Sequence, residues 1–254
     1  MSHRVSQVCV FVVMAAATLA FGAGSAIAQT GTDILRYNFD GPAKFNPQGQ
    51  QIFTDVTGRG HVGAVKVANN GGVLVVQSAV GQGKAVRFPT PCEGTGCPKA
   101  IVEAADAPDL NPGNTIFSYG AWIFLDQSEL TTGSNVVQKG FFNDPGGQWK
   151  LQVDNLNGIP SCVVQGNLNG QHVTTIVVPT TGAMSITGSW HQVSCKKRDT
   201  FVSILIDGLE VGRQTVTVGT VSNTAAVRIG GKSTADANDQ FHGVIDNVFF
   251  RLGQ

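Results

Sequence analysis

"SWHQVSCKKRDTFVSILIDGLEVG", residues 189–212, decides the fold. Phe201 to Ile206 are aromatic or β-branched at nearly every position, then Asp207-Gly208 interrupts and a second apolar run resumes at Leu209. Asp-Gly between two such runs predicts a β-hairpin, because a type I′ turn needs positive φ at both central residues. Upstream, "SWHQVSCK" reads as a further strand, separated from Phe201 by polar Arg198, Asp199 and Thr200.

The same grammar extends in both directions. Strands are expected at "DILRYNF", "AVKV", "VLVVQ", "KAVRF", "TIFSYGAWIFL", "NVVQKGFF", "QWKLQV", "SCVVQG", "HVTTIVV", "EVGRQTVTV", "AVRIGG" and "GVIDNVFFRL". Asn-Gly, Asp-Gly, Gly-Gly and Pro-Gly pairs punctuate them, and no window offers a capped amphipathic helix. Frequent short strands with turn chemistry between them predict a single all-β sandwich or barrel over residues 29–254. No linker and no internal repeat interrupts it.

Residues 1–28 are expected to be a signal peptide. His3 and Arg4 precede the uncharged run "VCVFVVMAAATLAFGAG", and Ala26-Ile27-Ala28 supplies the small-x-small cleavage pattern. The whole chain carries 17 basic and 17 acidic residues. Removing Arg4 leaves 16 against 17, a formal charge of −1. That balance supplies no clustered positive charge for nucleic acid or an anionic membrane, and no membrane span remains in the exported chain. Export to the cell envelope, periplasm or exterior makes the four remaining cysteines candidates for disulfides. Cys92 and Cys97 bracket the flexible "EGTG", while Cys162 and Cys195 lie in strand-like segments and can face one another across neighbouring strands. Four cysteines allow three connectivities, and 92–97 with 162–195 is the favoured set. A zinc site is disfavoured, since His61, His172, His191 and His242 are scattered singly.

Gly58, Gly60 and Gly63 in "DVTGRGHVG" have the spacing of a dinucleotide-binding loop. The following "AVKVANNGG" cannot form the required helix, so these glycines are assigned to turns.

At "FDGPAKF", "DVTGRGHVGAV", "GKAVRF", "IFSYGAWIFL", "VVQKG", "WKLQV", the opening stretch, "VRIGGKS" and "DQFHGVIDNVFF" the chain resembles the concanavalin A-like jelly rolls of laminin G and pentraxin type, especially secreted bacterial ones. The resemblance covers most of residues 33–252. It implies two antiparallel sheets of six or seven strands packed face to face, with the Gly58/Gly60 turn joining the first two strands. It also implies that Trp122, Trp149 and Trp190 fill core positions and that His191 points to the sheet face opposite Trp190. Many relatives carry calcium near the chain ends, which makes Asp246 a candidate ligand and Asp40 its early partner. Asp236 and Asp239 are weaker candidates, read as ordinary turn residues.

Catalysis is not expected. Hydrolases of this fold need two carboxyl groups facing one cleft, commonly as Glu-x-Asp-x-x-Glu. Glu93, Glu103, Glu129 and Glu210 have no such partner, and no G-x-S-x-G elbow appears. The tryptophans being assigned to the core, no sugar-stacking platform is visible. The expected role is therefore a non-catalytic recognition module that binds glycan or mediates adhesion, with calcium as its metal. A protein-interaction or envelope-structural domain is the alternative, and a divergent glycosidase or lyase comes third. An exposed face of clustered Asn and Gln would favour glycan, a large apolar patch a protein partner, and a cleft with two carboxylates an enzyme.

Overall fold

A computed structural model describes residues 31–78, 83–154, 156–180 and 184–253. The expected signal peptide lies outside them. The strands run β1 (Thr32–Tyr37), β2 (Lys44–Phe45), β3 (Gln51–Phe53), β4 (Gly63–Ala68), β5 (Leu74–Gln77), β6 (Lys84–Arg87), β7 (Lys99–Ala104) and β8 (Phe117–Phe124). They continue as β9 (Asn135–Lys139), β10 (Gln148–Asp154), β11 (Ile159–Leu168), β12 (Gln171–Val177) and β13 (Trp190–Lys197). The chain closes with β14 (Phe201–Ile206), β15 (Leu209–Thr215), β16 (Val227–Ile229) and β17 (Val244–Leu252). Helix is confined to two 3-10 turns among the described residues, Pro108–Leu110 and Gln127–Glu129.

The strands form an antiparallel two-sheet β-sandwich. Sheet I orders β15-β14-β13-β8-β17-β6-β5, with β1 also paired to β17. One edge of β17 is shared: β6 takes Val244 and Ile245, β1 takes Val248 to Leu252, and Asn247 at φ 48° marks the division. Sheet II orders β12-β11-β10-β9-β16-β7-β4-β3-β2. The sheets thus hold eight and nine strands rather than the six or seven expected. The unforeseen members are the short hairpin β2–β3 and strand β7, Lys-Ala-Ile-Val-Glu-Ala, whose lysine, alanines and glutamate disguise it. Pairing with β4 on one edge and β16 on the other overrides that composition.

The opening stretch folds as expected. β14 and β15 pair through a turn with Asp207 at φ 52° and Gly208 at φ 81°. The Gly58/Gly60 segment is a turn, but it joins β3 to β4 because the β2–β3 hairpin precedes it. Asp55 organises it, accepting from the backbone N–H of Arg36 and Thr57 at 3.0 Å each.

Alternation divides each strand between the inter-sheet core and an outer face. Phe117, Tyr119, Ala121 and Ile123 of β8 meet Trp149, Leu151 and Val153 of β10, all essentially inaccessible to solvent. Trp149 stacks on Phe250 at 5.1 Å and tilts against Tyr119 at 4.8 Å. The disulfide Cys162–Cys195 joins β11 to β13, with Cα atoms 5.6 Å apart. It therefore crosses the core between the sheets, not between neighbouring strands. Cys92–Cys97 closes the short loop before β7.

Candidate functional site

Two expectations about aromatic residues are corrected. Of the three tryptophans only Trp149 is fully buried. Trp122 and Trp190 lie on the outer face of sheet I and are half-buried, Trp190 packing 5.9 Å from Phe124. The pairing Trp190↔Phe124 and His191↔Ile123 sets the faces, so His191, not Trp190, shares the side of Val193 and Cys195. Alternation holds along β13, with its phase opposite to that expected. Elsewhere on the outer face of sheet I charges are paired, with Ser118 Oγ and Ser203 Oγ buried there without a partner. Asp33 accepts from Arg251 at 2.6 Å and Arg36 at 2.8 Å, both guanidinium groups approach the Phe249 ring, and Arg213 clasps Glu210.

The outer face of sheet II is built differently. Across β9, β10 and β11 it presents Asn135, Gln138, Gln148, Gln152, Ser161 and Gln165, none more than 6% exposed. The β9–β10 loop accounts for that burial at the Gln138, Gln148 and Gln165 end of the row. Asn143 N–H donates to Gln165 Oε1 at 3.0 Å and Phe141 N–H to Asp144 Oδ2 at 2.8 Å, folding the loop over the strands. Close backbone packing requires its glycines: a Cβ on Gly146 would stand 1.7 Å from the Ser222 carbonyl oxygen, and one on Gly147 2.1 Å from that of Gln165. Phe141 and Phe142 are left exposed at 37% and 60%.

Beneath them opens a cleft of about 260 Å³ lined by Gln138, Gln148, Lys150, Phe142, Lys232 and Asp239. On the other side of Phe141 a second cleft, about 550 Å³, runs along Asp144, Pro145, Asn223, Ala226 and Arg228. Arg228 stacks 4.9 Å from the Phe141 ring and donates to Glu103 at 2.9 Å. The buried Lys139 fixes the second cleft's wall, donating to the Asn223 carbonyl at 2.6 Å while it pairs with Asp106 at 2.8 Å.

Buried polar side-chain atoms without a hydrogen-bond partner concentrate here. Among the described residues there are eight, and five belong to this face: Asn135 Oδ1, Gln148 Nε2, Gln152 Oε1, Ser161 Oγ and Arg228 Nη1. Each such atom costs about 1–3 kcal/mol when left unpaired. Charges are displaced as well. Burial, with Lys232 adding to it, holds the Lys150 ammonium below its ordinary pKa against the pull of Asp154 and Asp239. Burial also pushes the Asp154 carboxyl up, and the charge of Asp239 adds to that against Lys150. Of the two, Lys150 lines the first cleft, and a charge shifted towards neutrality in a cleft is a mark of functional sites. Phe141, Phe142 and the glutamine row escaped the sequence reading because alternation does not reveal which outer face a loop will roof.

The residues singled out for metal binding come together in part. Asp246 is buried on the outer side of β17 and accepts from Ser78 Oγ at 2.7 Å and Asn247 N–H at 2.6 Å. Asp40 accepts from Lys84 N–H at 2.7 Å. Burial pushes the Asp246 carboxyl up, and Asp40 is near enough for its charge to push the same way. A buried carboxylate beside a hydroxyl, in the field of a second carboxylate, suits a hard cation, although no cluster of three His, Cys, Asp or Glu ligands occurs among the described residues. Asp236 pairs with Lys99 at 2.5 Å and Asp239 with Lys232 at 2.9 Å.

One constellation has the order of a nucleophilic triad. Ser189 Oγ lies 2.9 Å from His191 Nε2, and His191 Nδ1 lies 2.8 Å from Asp207 Oδ2. It sits on the exposed end of the β13 and β14 pair, and none of the described clefts is lined by it. His242 is structural in its contacts, its Nδ1 lying 2.7 Å from the Pro89 carbonyl oxygen.

A family profile described as the concanavalin A-like lectin/glucanases superfamily matches residues 99–250, from β7 into β17. The chain belongs to this superfamily. No curated protein matches it. Among solved structures, domain 4 of AbnA, a GH43 extracellular arabinanase from Geobacillus stearothermophilus in complex with arabinotriose, is 19% identical with a TM-score of 0.60. That match covers 88% of this chain and 93% of the arabinanase domain. The botulinum neurotoxin serotype D binding domain is 14% identical, TM-score 0.51, and the neurotoxin DC binding domain in complex with SialylT is 14% identical, TM-score 0.52. Each of these matches covers 87% of this chain, which spans about half (48%) of either neurotoxin domain. At these identities the likeness is one of fold. Among the described residues no helix is long and apolar enough to cross a membrane.

Proposed function

We propose that the chain is an exported, non-catalytic glycan-recognition or adhesion module, working in the envelope or outside the cell, whose binding site is the roofed outer face of sheet II. The observation that carries this reading is the cleft that two exposed phenylalanines share with Gln138 and Gln148, on a face whose buried amides include unpartnered donors and acceptors. Sugars offer hydroxyls to such atoms and an apolar ring face to such rings. Two solved neighbours of the same fold, seen with arabinotriose and SialylT, support it. Two disulfides support the exported setting. Calcium is proposed at Asp40 and Asp246, where it would neutralise adjoining carboxylates and fix the ends of the chain.

The test is a glycan array on the mature chain, residues 29–254, with calcium and again with a chelator. Selective binding lost on chelation supports both the glycan reading and the metal. Binding that survives keeps the glycan reading and removes the metal from it. Silence in both runs favours a protein partner.

Hydrolysis is tested separately, because Asp154 and Asp239 both act on Lys150 beside the first cleft. Bound oligosaccharides are expected to keep their length on prolonged incubation. Shortened products that disappear in Asp154→Asn would make the chain an enzyme.

A further inference from the structure

We infer that Lys139 and Asn111 form a self-modification site: Lys139 Nζ displaces ammonia from the Asn111 side-chain amide, Asp106 carries the proton, and an isopeptide cross-link results.

The nucleophile is a lysine kept from water. Lys139 shares the inner face of sheet II with its strand partners Trp149 and Val227, and its side chain is 0% exposed. Burial holds the ammonium below its ordinary pKa, against the pull of Asp106 and Asp144. A desolvated lysine that gives up its proton is a nucleophile. Its Nζ lies 2.9 Å from Asn111 Oδ1, with the amide carbon one bond, about 1.2 Å, beyond. The Asn223 carbonyl at 2.6 Å and Asn223 Oδ1 at 3.0 Å hold Nζ in that place.

The remaining groups match the needs of the reaction. Asp106 Oδ1 is 2.8 Å from Lys139 Nζ and 3.2 Å from Asn111 Nδ2, so one oxygen touches both the proton's source and the leaving group. The Asn223 backbone N–H donates to Asn111 Oδ1 at 2.9 Å, where negative charge develops on attack. The Asn223 side-chain amide also reaches Nζ, but its Nδ2 is committed to the Gly147 carbonyl at 2.8 Å. Asn111 is therefore the electrophile.

Asp106 takes one proton from the Lys139 ammonium, and the freed electron pair forms the Nζ–Cγ bond while the C=O pair moves onto Oδ1. Asp106 then protonates Nδ2 and takes the second proton from Nζ. The pair on Oδ1 returns, the Cγ–Nδ2 bond breaks, and ammonia leaves with the proton held by Asp106, as ammonium. Nothing is oxidised or reduced. The product ties the connection before β8 to strand β9, and a reductant that opens Cys92–Cys97 and Cys162–Cys195 leaves it closed.

Peptide mass spectrometry of the purified, reduced chain is the test. An aspartate-directed protease cuts before Asp109, Asp126 and Asp144, so Asn111 and Lys139 fall in separate peptides unless they are bonded. The expected product is one branched peptide, lighter than the sum of the two by about 17 Da, the mass of ammonia. Asp106→Asn keeps the volume and removes the proton carrier; it should leave the two peptides separate with both disulfides formed. Separate peptides from the wild-type chain overturn the inference. So do a branch to Asn223 in place of Asn111, a loss of the same mass without a branch, and a branch that persists in Asp106→Asn.

Discussion

On the outer face of sheet I, Asp33 receives hydrogen bonds from two arginines, and Arg213 closes on Glu210. On the outer face of sheet II, Gln148 lines a cleft and has an unpaired amide nitrogen, and Lys150 and Asp154 are both pushed towards their neutral forms. The two faces belong to one sandwich and share one core, so the difference does not come from architecture. Paired groups add to the stability of the folded chain. Unpaired ones subtract from it. The contrast assigns sheet I's face to stability and sheet II's to recognition.

The largest effect that could break this contrast is on the tryptophans. Trp190→Ala or Trp122→Ala should cost about 2 kcal/mol, below the ~3–5 of a fully buried aromatic, and leave glycan affinity unchanged. Chemical denaturation and calorimetry on the same preparation check both halves. Lost affinity at retained stability would move the site to sheet I. Next in size is Asp33→Asn, expected to cost about 1–2 kcal/mol at neutral pH. Burial pushes the Asp33 carboxyl up, but the hydrogen bonds from Arg251 and Arg36 outweigh it and hold its pKa below the ordinary value. A carboxyl depressed on folding contributes fully above its unfolded pKa, about 3.9, and loses that contribution as pH falls through the folded value. The gap between wild type and Asp33→Asn should therefore be full at pH 7 and close only below pH ~4, as melting curves across pH would show.

Much of the fold was legible because its signals are local. Asp207-Gly208 sets its own turn, and β-branched runs such as Phe201–Ile206 mark strands wherever they pair. Strand β7 was not legible, since its order comes from partners more than a hundred residues apart, Ala64 and Arg228 on either side of Glu103. The phase of β13 failed for a related reason: Trp190 is a plausible core residue in isolation, and only the register with Phe124 puts it outside. The candidate site was least legible of all. Gln138 and Gln148 look like ordinary solvent-facing positions until the Phe141–Gly147 loop, pinned to Gln165 by Asn143, closes beside them. A glutamine's meaning here depends on a lid drawn from a neighbouring turn.

A smaller change sharpens the same contrast. Gln148→Leu should leave stability unchanged or raise it by up to about 1 kcal/mol, because an unpaired buried amide is replaced by an apolar group of similar size. A structural glutamine would behave in the opposite way, with a fall in melting temperature that tracks the lost affinity. The stability measurement thus separates the two roles without reference to any ligand.

The smallest expected effect concerns Ser189. Its Oγ stands 2.9 Å from His191 Nε2, with Asp207 behind the ring, so the order of groups needed to activate a hydroxyl is present. Activation also needs donors aimed at a developing oxyanion and a walled space for the acyl group. The triad instead lies at an exposed hairpin end, where Asp207 Oδ1 is occupied by the backbone N–H of Gln192 at 2.9 Å. These contacts brace the start of β13 against the turn after β14. Ser189→Ala should accordingly change stability by less than about 0.5 kcal/mol and leave binding untouched. A fluorophosphonate probe should fail to label Ser189, as mass spectrometry of the treated chain would show. Stoichiometric labelling abolished by His191→Gln would place chemistry at the edge of sheet I and end the division between a stabilising face and a recognising one.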